Sequence, residues 1–507
     1  MGFLTYSRLR HQLRSLFRQL PFRQPTFQQI VYWLLFCSVI ALVAIAAIAC
    51  QAKSGIIPAL PQHPNIQVFF NQNQASRYTD QYRNIERLGD NLERVLIDNV
   101  NKSKVSLDIA VQELRLPNIA KAIAEAKLRG VNVRLVLENN YSKAWSEFTP
   151  EQVEKMNVRD RDRYKEFQKF ADLNNDGRLS EDELDRRDGL RLIKLTNVPW
   201  IDDTADGSKG SGLMHHKFMV IDDQVVLFGS PNYTMSDIHG DFTRPDTRGN
   251  ANNLLRIDSK ELATKFKKEF NLMWGDGPNG KPDSLFGSKK PSRKIEYLIV
   301  GGAQIRLKFS PDSEDTAREQ TSNGLIATAI AGTQKTIDMA LFVYSVPFIS
   351  TTLEERQQSN VQIRTLVEPQ FAYRDYSSTL DMWGLQSNRD CKTGQSSTWK
   401  QPLKTVGIPN LVSGDTLHHK FAILDRNLII TGSHNWTNAA NHTNDETLVA
   451  IQSDAVAAHY QREYDRLYQN VTLGPTAKLV QATSKSCAER VNGKTKLTID
   501  TIDESYF

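Results

Sequence analysis

The sequence predicts an α/β protein built from two similar halves behind one N-terminal transmembrane helix. Three observations lead there. An uncharged apolar run, Ile30–Ala49, follows an arginine-rich leader without acidic residues; two segments of the body recur at one fixed offset; and within each copy β-branched runs alternate with helical stretches.

The run reads IVYWLLFCSVIALVAIAAIA and has the ~20 residues needed to span a bilayer. Arg8, Arg10, Arg14, Arg18 and Arg23 precede it, the first acidic residue is Asp80, and only Lys53 follows closely. The positive-inside rule places residues 1–29 in the cytoplasm, 30–50 as the transmembrane helix or signal anchor, and the body outside the cytoplasm. Tyr32 and Trp33 suit the membrane interface. Ala47-Ile48-Ala49-Cys50 also fits a bacterial lipoprotein cleavage box with Cys50 lipidated, and an acid-poor, arginine-rich leader also fits an organellar targeting peptide. Those five arginines account for the formal charge of +5, so the body is near neutral and carries no global signal for nucleic acid. A chain of 507 residues, 40% hydrophobic and 24% charged, is expected to fold into two or three units with real cores. Cys37 and Cys50 lie in or at the edge of the apolar run. Cys391 and Cys487 can form one disulfide in an oxidising compartment or stay reduced, and the lack of a C-x-x-C pair argues against a cysteine zinc site.

Residues 51–64 hold Pro58, Pro61 and Pro64 and read as a linker. Beyond it, SLDIA (Ser106–Ala110) matches TIDMA (Thr336–Ala340) and GVNVRLVLE (Gly130–Glu138) matches NVQIRTLVE (Asn360–Glu368), both 230 residues apart. IQVFF from Ile66 and QIRLKF from Gln304 match more loosely. The halves are expected at 65–274 and 299–472, with a Gly/Pro/Lys/Ser-rich linker at 275–298 and a tail at 473–507.

Each half ends in the same pattern: HHKFMVIDDQVVLFGSPNYT and HHKFAILDRNLIITGSHNWT, both H-x-K-x4-D-x6-G-S-x-N. Strand alternation puts His215 and Lys217 on one face, and likewise His418 and Lys420. The G-S-x-N ends bring Ser230 and Asn232, and Ser433 and Asn435, toward the same place. Two such halves about a pseudo-twofold axis would surround one phosphate, with two ammonium groups to neutralise it and amides and hydroxyls to hydrogen-bond it. Two imidazoles then suggest covalent catalysis: one attacks phosphorus, the other protonates the leaving oxygen and later activates water or an alcohol.

The paired motif resembles the phospholipase D superfamily over roughly Ile66 to Asn470. The resemblance implies two pseudo-twofold-related α/β sandwich halves, no metal in the chemistry, His215 as nucleophile and His418 as general acid, with Asp222 and Asp425 structural or orienting. The motifs are followed by NANNLLRI, with Asn252, and NDETLVAI, with Glu446. Read along the chain, Glu446 would keep His418 protonated and Asn252 would leave His215 neutral. Trp436, next to Asn435, reads as a packing residue.

The first half carries an insertion, about 160–188, containing DLNNDGRLSEDE, which fits an EF-hand loop. Asp172, Asn174, Asp176 and Glu183 would ligate calcium with side-chain oxygens and Arg178 with its carbonyl, with Gly177 at the sharp turn. Trp200–Gly212 and Asp237–Gly249 have no counterpart in the second half and are expected at the rim of the site. With the anchor and a near-neutral body, a phospholipid is the expected substrate, at a membrane, with no cofactor for catalysis. A nuclease outside the cytoplasm, acting on nucleic acid, and a non-catalytic binding module are the alternatives.

Overall fold

The repeated segments form the same structure twice. The computed structural model describes residues 57–208, 212–394, 396–485 and 487. The apolar run Ile30–Ala49, Cys37, Cys50 and the basic leader lie outside them. Among the described residues no helix is long and apolar enough to cross a membrane.

In the first half the strands are β1 (Ile66–Phe70), β2 (Arg77–Asp80), β3 (Ile85–Leu88), β4 (Ser106–Val111), β5 (Asn132–Leu137), β6 (Trp200–Asp202), β7 (Lys217–Ile221), β8 (Val225–Gly229) and β9 (Asn253–Asp258). All but the β2–β3 hairpin join one sheet, ordered β1-β9-β8-β7-β4-β5-β6. The second half contributes β10 (Glu296–Val300), β11 (Ala303–Ser310), β12 (Thr336–Leu341), β13 (Gln362–Val367), β14 (Val406–Ile408), β15 (Lys420–Leu424), β16 (Leu428–Gly432), β17 (Glu446–Gln452) and β18 (Thr472–Leu473). Its sheet runs β10-β11-β17-β16-β15-β12-β13-β14-β18.

The matched segments are the parallel pairs β4–β5 and β12–β13, joined by crossover helices Pro117–Leu128 and Pro347–Gln358 that each open with proline at the first turn. The repeat extends to an ion pair on a buried aspartate: Arg134 grips Asp108 at 2.6 and 2.8 Å, and Arg364 grips Asp338 at 2.7 and 2.6 Å. Each sheet buries one face under its crossover helices. Between the sheets lies a third core built from both halves, where the helices Lys260–Trp274 and Asp454–Tyr468 place Phe266, Phe270, Tyr460 and Tyr464 among Phe218 and Phe421.

Three expectations about connections are corrected. The segment 275–298 is no free linker: Phe286 and Lys290 are buried and its end is strand β10. One apolar ring inside a Gly/Pro/Lys stretch is enough to tie it down. Residues 58–64 also lie against the body, with the carbonyls of Pro58 and Pro61 accepting bonds from Arg462 and His459. The tail adds β18 and the helix Ala477–Thr483, and Cys391 is bonded to Cys487. The insertion packs Phe167, Phe170 and Ala171 against Trp145, which precedes it, in a small core separate from those of the two sheets.

Candidate active site

The two motif strands meet across the interface between the halves. Main-chain bonds run from His215 N to Asp445 O (3.0 Å) and from Asp445 N to Leu213 O (2.9 Å). Their pseudo-twofold mates run from His418 N to Ala251 O (3.1 Å) and from Ala251 N to Thr416 O (2.8 Å). The segment leading into each motif strand is thereby docked beside the segment leading into β17 or β9 of the other half.

This docking corrects the expected pairing of the acid and the amide. Glu446 partners His215, with Nδ1 to Oε2 at 2.7 Å, and Asn252 partners His418, with Nδ1 to Oδ1 at 2.9 Å. Reading along one half pairs each histidine with its own sequence neighbour; the interface exchanges the partners. Ser433 donates to the same Glu446 oxygen at 2.6 Å, and Ser230 donates to Asn252 Oδ1 at 2.7 Å. The Asn252 amide is oriented by its nitrogen, which donates to the carbonyls of Asp237 and Asn250, both at 3.0 Å. An amide oxygen and a carboxylate only accept, so Nδ1 carries the proton in both histidines and Nε2 keeps its lone pair.

Lys217 Nζ donates to Gln112 Oε1 (3.1 Å) and to His215 O (2.9 Å); Lys420 Nζ donates to His418 O (2.7 Å) and stands 4.7 Å over the Phe342 ring. Burial brings Lys217 down to about 8, and burial, then the neighbouring Lys217, hold Lys420 well below the ordinary lysine range. Burial, then the two lysines, hold His215 and His418 well below the usual histidine value. A bound anion would reverse these shifts, because its charge favours every cationic form around it. Asn232 and Asn435 have buried side-chain oxygens without a protein partner.

Asp222 and Asp425 are not brought to this centre. Each sits at the far end of its motif strand in a tight turn at positive φ (51° and 50°). Their carboxylates accept main-chain N–H groups, from Lys104, Val105 and Ser106 for Asp222 and from Gln334, Lys335 and Thr336 for Asp425. The glycine of G-S-x-N serves close approach: a Cβ at Gly432 would come within 2.1 Å of the Thr447 carbonyl, and one at Gly229 within 2.1 Å of that of Asn253. Trp436 is fully buried against Tyr344.

Several residues here were not singled out from sequence. The middle histidines of both motifs cross the interface: His216 Nδ1 to Thr447 Oγ1 at 2.9 Å, and His419 Nδ1 to Asn253 Oδ1 at 3.2 Å. Their doubling, HHK in each half, was the available signal. Asp237, in the expected rim segment, accepts from Asn232 N and Asn250 Nδ2, both at 2.7 Å. That segment clasps the second half instead of hanging free, since Asp415 accepts from the main chain of Arg248 and Gly249. In Trp200–Gly212, Asp203 accepts from Asn139 N at 2.8 Å.

Glu368 accepts from Leu417 N at 2.7 Å, next to His418, and burial pushes it up to about 7. A carboxyl whose folded value lies above its unfolded one binds its proton better when folded, so its effect on stability is favourable at low pH and is lost as the pH rises. The loss should run from about pH 4.5 to about pH 7 and amount to about 3 kcal/mol. Urea unfolding across that window should show wild type losing this much relative to Glu368→Gln; parallel pH curves would refute it.

In the insertion, the loop joins helices Val158–Ala171 and Glu181–Arg187, with Gly177 at φ +78°. Asp172 accepts from Asp176 N and Gly177 N, Asp176 from Arg178 N, and Glu183 from Leu173 N and Ser180 N. Among the described residues no three His, Cys, Asp or Glu side chains gather as a metal-binding group.

Two like sheets sharing one centre of paired histidines and lysines define a phosphodiesterase-superfamily site of the phospholipase D type. A family model described as cardiolipin synthase, PLD-like domain, matches residues 96–274 and 326–468, and the chain belongs to that family. The chain is 23% identical to the mitochondrial cardiolipin hydrolase of Xenopus laevis over 186 residues, 36% of this chain and 79% of that protein. It is 24% identical to the human mitochondrial cardiolipin hydrolase over 143 residues, 28% of this chain and 48% of that protein. Among solved structures, the phosphatidylserine synthase of Haemophilus influenzae shares the fold, with a TM-score of 0.50 at 11% identity over 82% of this chain and 88% of that one.

Proposed function

We propose that this protein is a membrane-anchored phospholipase D-type phosphodiesterase that hydrolyses phospholipid headgroup esters through a phosphohistidine on His215. The observation that carries it is the pair of buried imidazoles, each held at Nδ1 by a residue of the other half, in motifs that also bury two lysines. Lys217, Lys420, Asn232 and Asn435 hold the phosphate oxygens. His215 Nε2 attacks phosphorus, and the positive imidazole that results is stabilised by the Glu446 carboxylate. His418, protonated once the anionic substrate is bound, gives its Nε2 proton to the leaving oxygen, then takes one from water as water attacks phosphorus and the Nε2–P bond breaks. Asn252 fixes the ring of His418 without adding charge. The names of the curated relatives make cardiolipin and related phosphatidyl esters the first substrates to try. The apolar run Ile30–Ala49 supports the anchor, and the Cys391–Cys487 disulfide supports a body outside the cytoplasm.

The test offers the full chain vesicles of cardiolipin, phosphatidylglycerol or phosphatidylcholine, with single-stranded DNA in parallel. Headgroup release that is lost in His215→Ala supports the proposal. Cleavage of DNA without lipid turnover would move the protein to the nuclease reading, and turnover of neither would favour the binding module.

Calcium is part of the proposal as a structural ligand of the insertion, held by Asp172, Asn174, Asp176, Glu183 and the Arg178 carbonyl. It would have to draw Glu183 away from the loop N–H groups. Adding calcium should raise the melting temperature by about 1–2 °C, roughly what 1–2 kcal/mol of binding gives in a chain of this size. The shift should vanish in Glu183→Gln; calcium-independent melting of the wild type would remove the metal from the reading.

A further inference from the structure

The repeat that builds the site also shows where its two sides differ. At the 230-residue offset, Gln112 corresponds to Phe342, Glu113 to Val343 and Tyr141 to Phe371. The main chain confirms the first match: Gln112 N donates to His216 O and Phe342 N to His419 O. Each replacement in the second half removes a polar group.

The consequences reach the reactive side chains. On the His215 side, Gln112 holds the Lys217 ammonium, Glu113 is bound by Arg115 (3.0 Å) and by Arg163, and Arg163 lies 5.5 Å from the Tyr141 ring. On the His418 side, the Phe342 ring packs edge-on against His418 at 4.7 Å and against Phe371 at 4.7 Å, with the Lys420 ammonium over its face. Phe342 and Phe371 are half-buried, so each keeps some open surface.

An in-line displacement places the attacking atom and the leaving atom on opposite sides of phosphorus, here the His215 side and the His418 side. His215 Nε2 bonds to phosphorus, and the ester oxygen opposite it departs on the other side, where His418 supplies the proton. The leaving alcohol therefore meets Phe342 and Phe371. We infer that the two walls are a specificity device: Phe342 and Phe371 hold the alcohol that leaves toward, and returns from, His418 by an apolar or planar face, whereas a polyol finds no hydrogen-bonding partner there. The inference rests on the phosphohistidine reading and names the leaving-group class for that same site.

Microscopic reversibility provides the assay, because an acceptor alcohol attacks from the place the leaving alcohol vacates. In that step the acceptor oxygen bonds to phosphorus, the His215 Nε2–P bond breaks, and the hydroxyl proton passes to His418 Nε2. A short-chain phosphatidyl ester of p-nitrophenol serves as donor to the full chain. Released nitrophenolate reports formation of the phosphohistidine; benzyl alcohol and glycerol, at equal concentration in water, compete for it. The benzyl ester should exceed the glyceryl ester by about tenfold, the discrimination an apolar pocket commonly gives. Phe342→Gln, which copies the side chain of the other half, should bring that ratio near one; nitrophenolate release should slow, since its leaving group meets the same ring, but the ratio is read only on the phosphohistidine that forms. Phe371→Tyr, which adds one oxygen, should move it the same way by less. An unchanged ratio in both variants, with donor turnover still measurable, would overturn the inference and leave the phosphohistidine reading standing. Absence of nitrophenolate release from the wild type would overturn the function on which it rests, and the inference with it.

Discussion

Replacing His215 by alanine is expected to abolish turnover, with a loss of about 10⁴-fold or more, since it removes the atom that bonds to phosphorus. His418→Ala should behave differently in kind. Its Nδ1 is held by the neutral Asn252, and its Nε2 is the proton donor and acceptor of the proposed reaction. With a natural alkyl leaving group, loss of the acid should cost about 10²–10⁴-fold. With a p-nitrophenyl ester, whose phenolate needs no proton to leave, the first step should proceed and the second stall. Single-turnover experiments should then show a burst of nitrophenolate of one equivalent per enzyme and a labelled, acid-labile protein. A burst from His215→Ala instead would exchange the roles of the two histidines. The assignment has a physical basis in the exchange of partners. Phosphorylation makes an imidazole ring positive, and the ring backed by a carboxylate is the one that tolerates this best.

The largest effect on stability is expected at Lys290. Its ammonium is fully buried between two carboxylates, 2.6 Å from Glu269 and 2.8 Å from Asp445. Burial pushes Glu269 up, but Lys290 and Arg293 outweigh it and hold this carboxyl well below the usual range. Lys290→Met would leave two buried negative groups short of a partner, at a cost of about 3–5 kcal/mol. Asp445 is also the residue whose carbonyl receives the His215 N–H and whose carboxylate accepts from Gly287 N. Urea unfolding should show the loss, and activity at a temperature where the variant is still folded should fall as well. The exposed neighbour, Lys289→Met, should change stability by less than about 0.5 kcal/mol. Equal effects at the two positions would mean that the segment 275–298 is the loose connection its composition suggests.

The twofold motif, the strands that carry it and the crossover helices were legible because they are local. Alternation along KFMVI and KFAIL fixes which side chains share a face, and the same 230-residue offset recurs down to the Asp108–Arg134 and Asp338–Arg364 pairs. The small segments were misread where a single buried contact outweighs composition, as Phe286 and Lys290 do in a stretch that reads as linker.

What the sequence by itself determined is the inventory of the site: two histidines, two lysines, and serine and asparagine in each copy, with one acid and one amide following them. What only the tertiary structure decided is which of these act together. Glu446 and Asn252 lie 28 and 37 residues beyond His418 and His215 in sequence, yet each serves the histidine of the other half. Periodicity reports faces within one sheet, and the pairing is set by how two sheets dock. The same holds for Phe342 and Gln112, whose places in the repeat are readable but whose contact with Lys420 and Lys217 exists only once the strands are side by side.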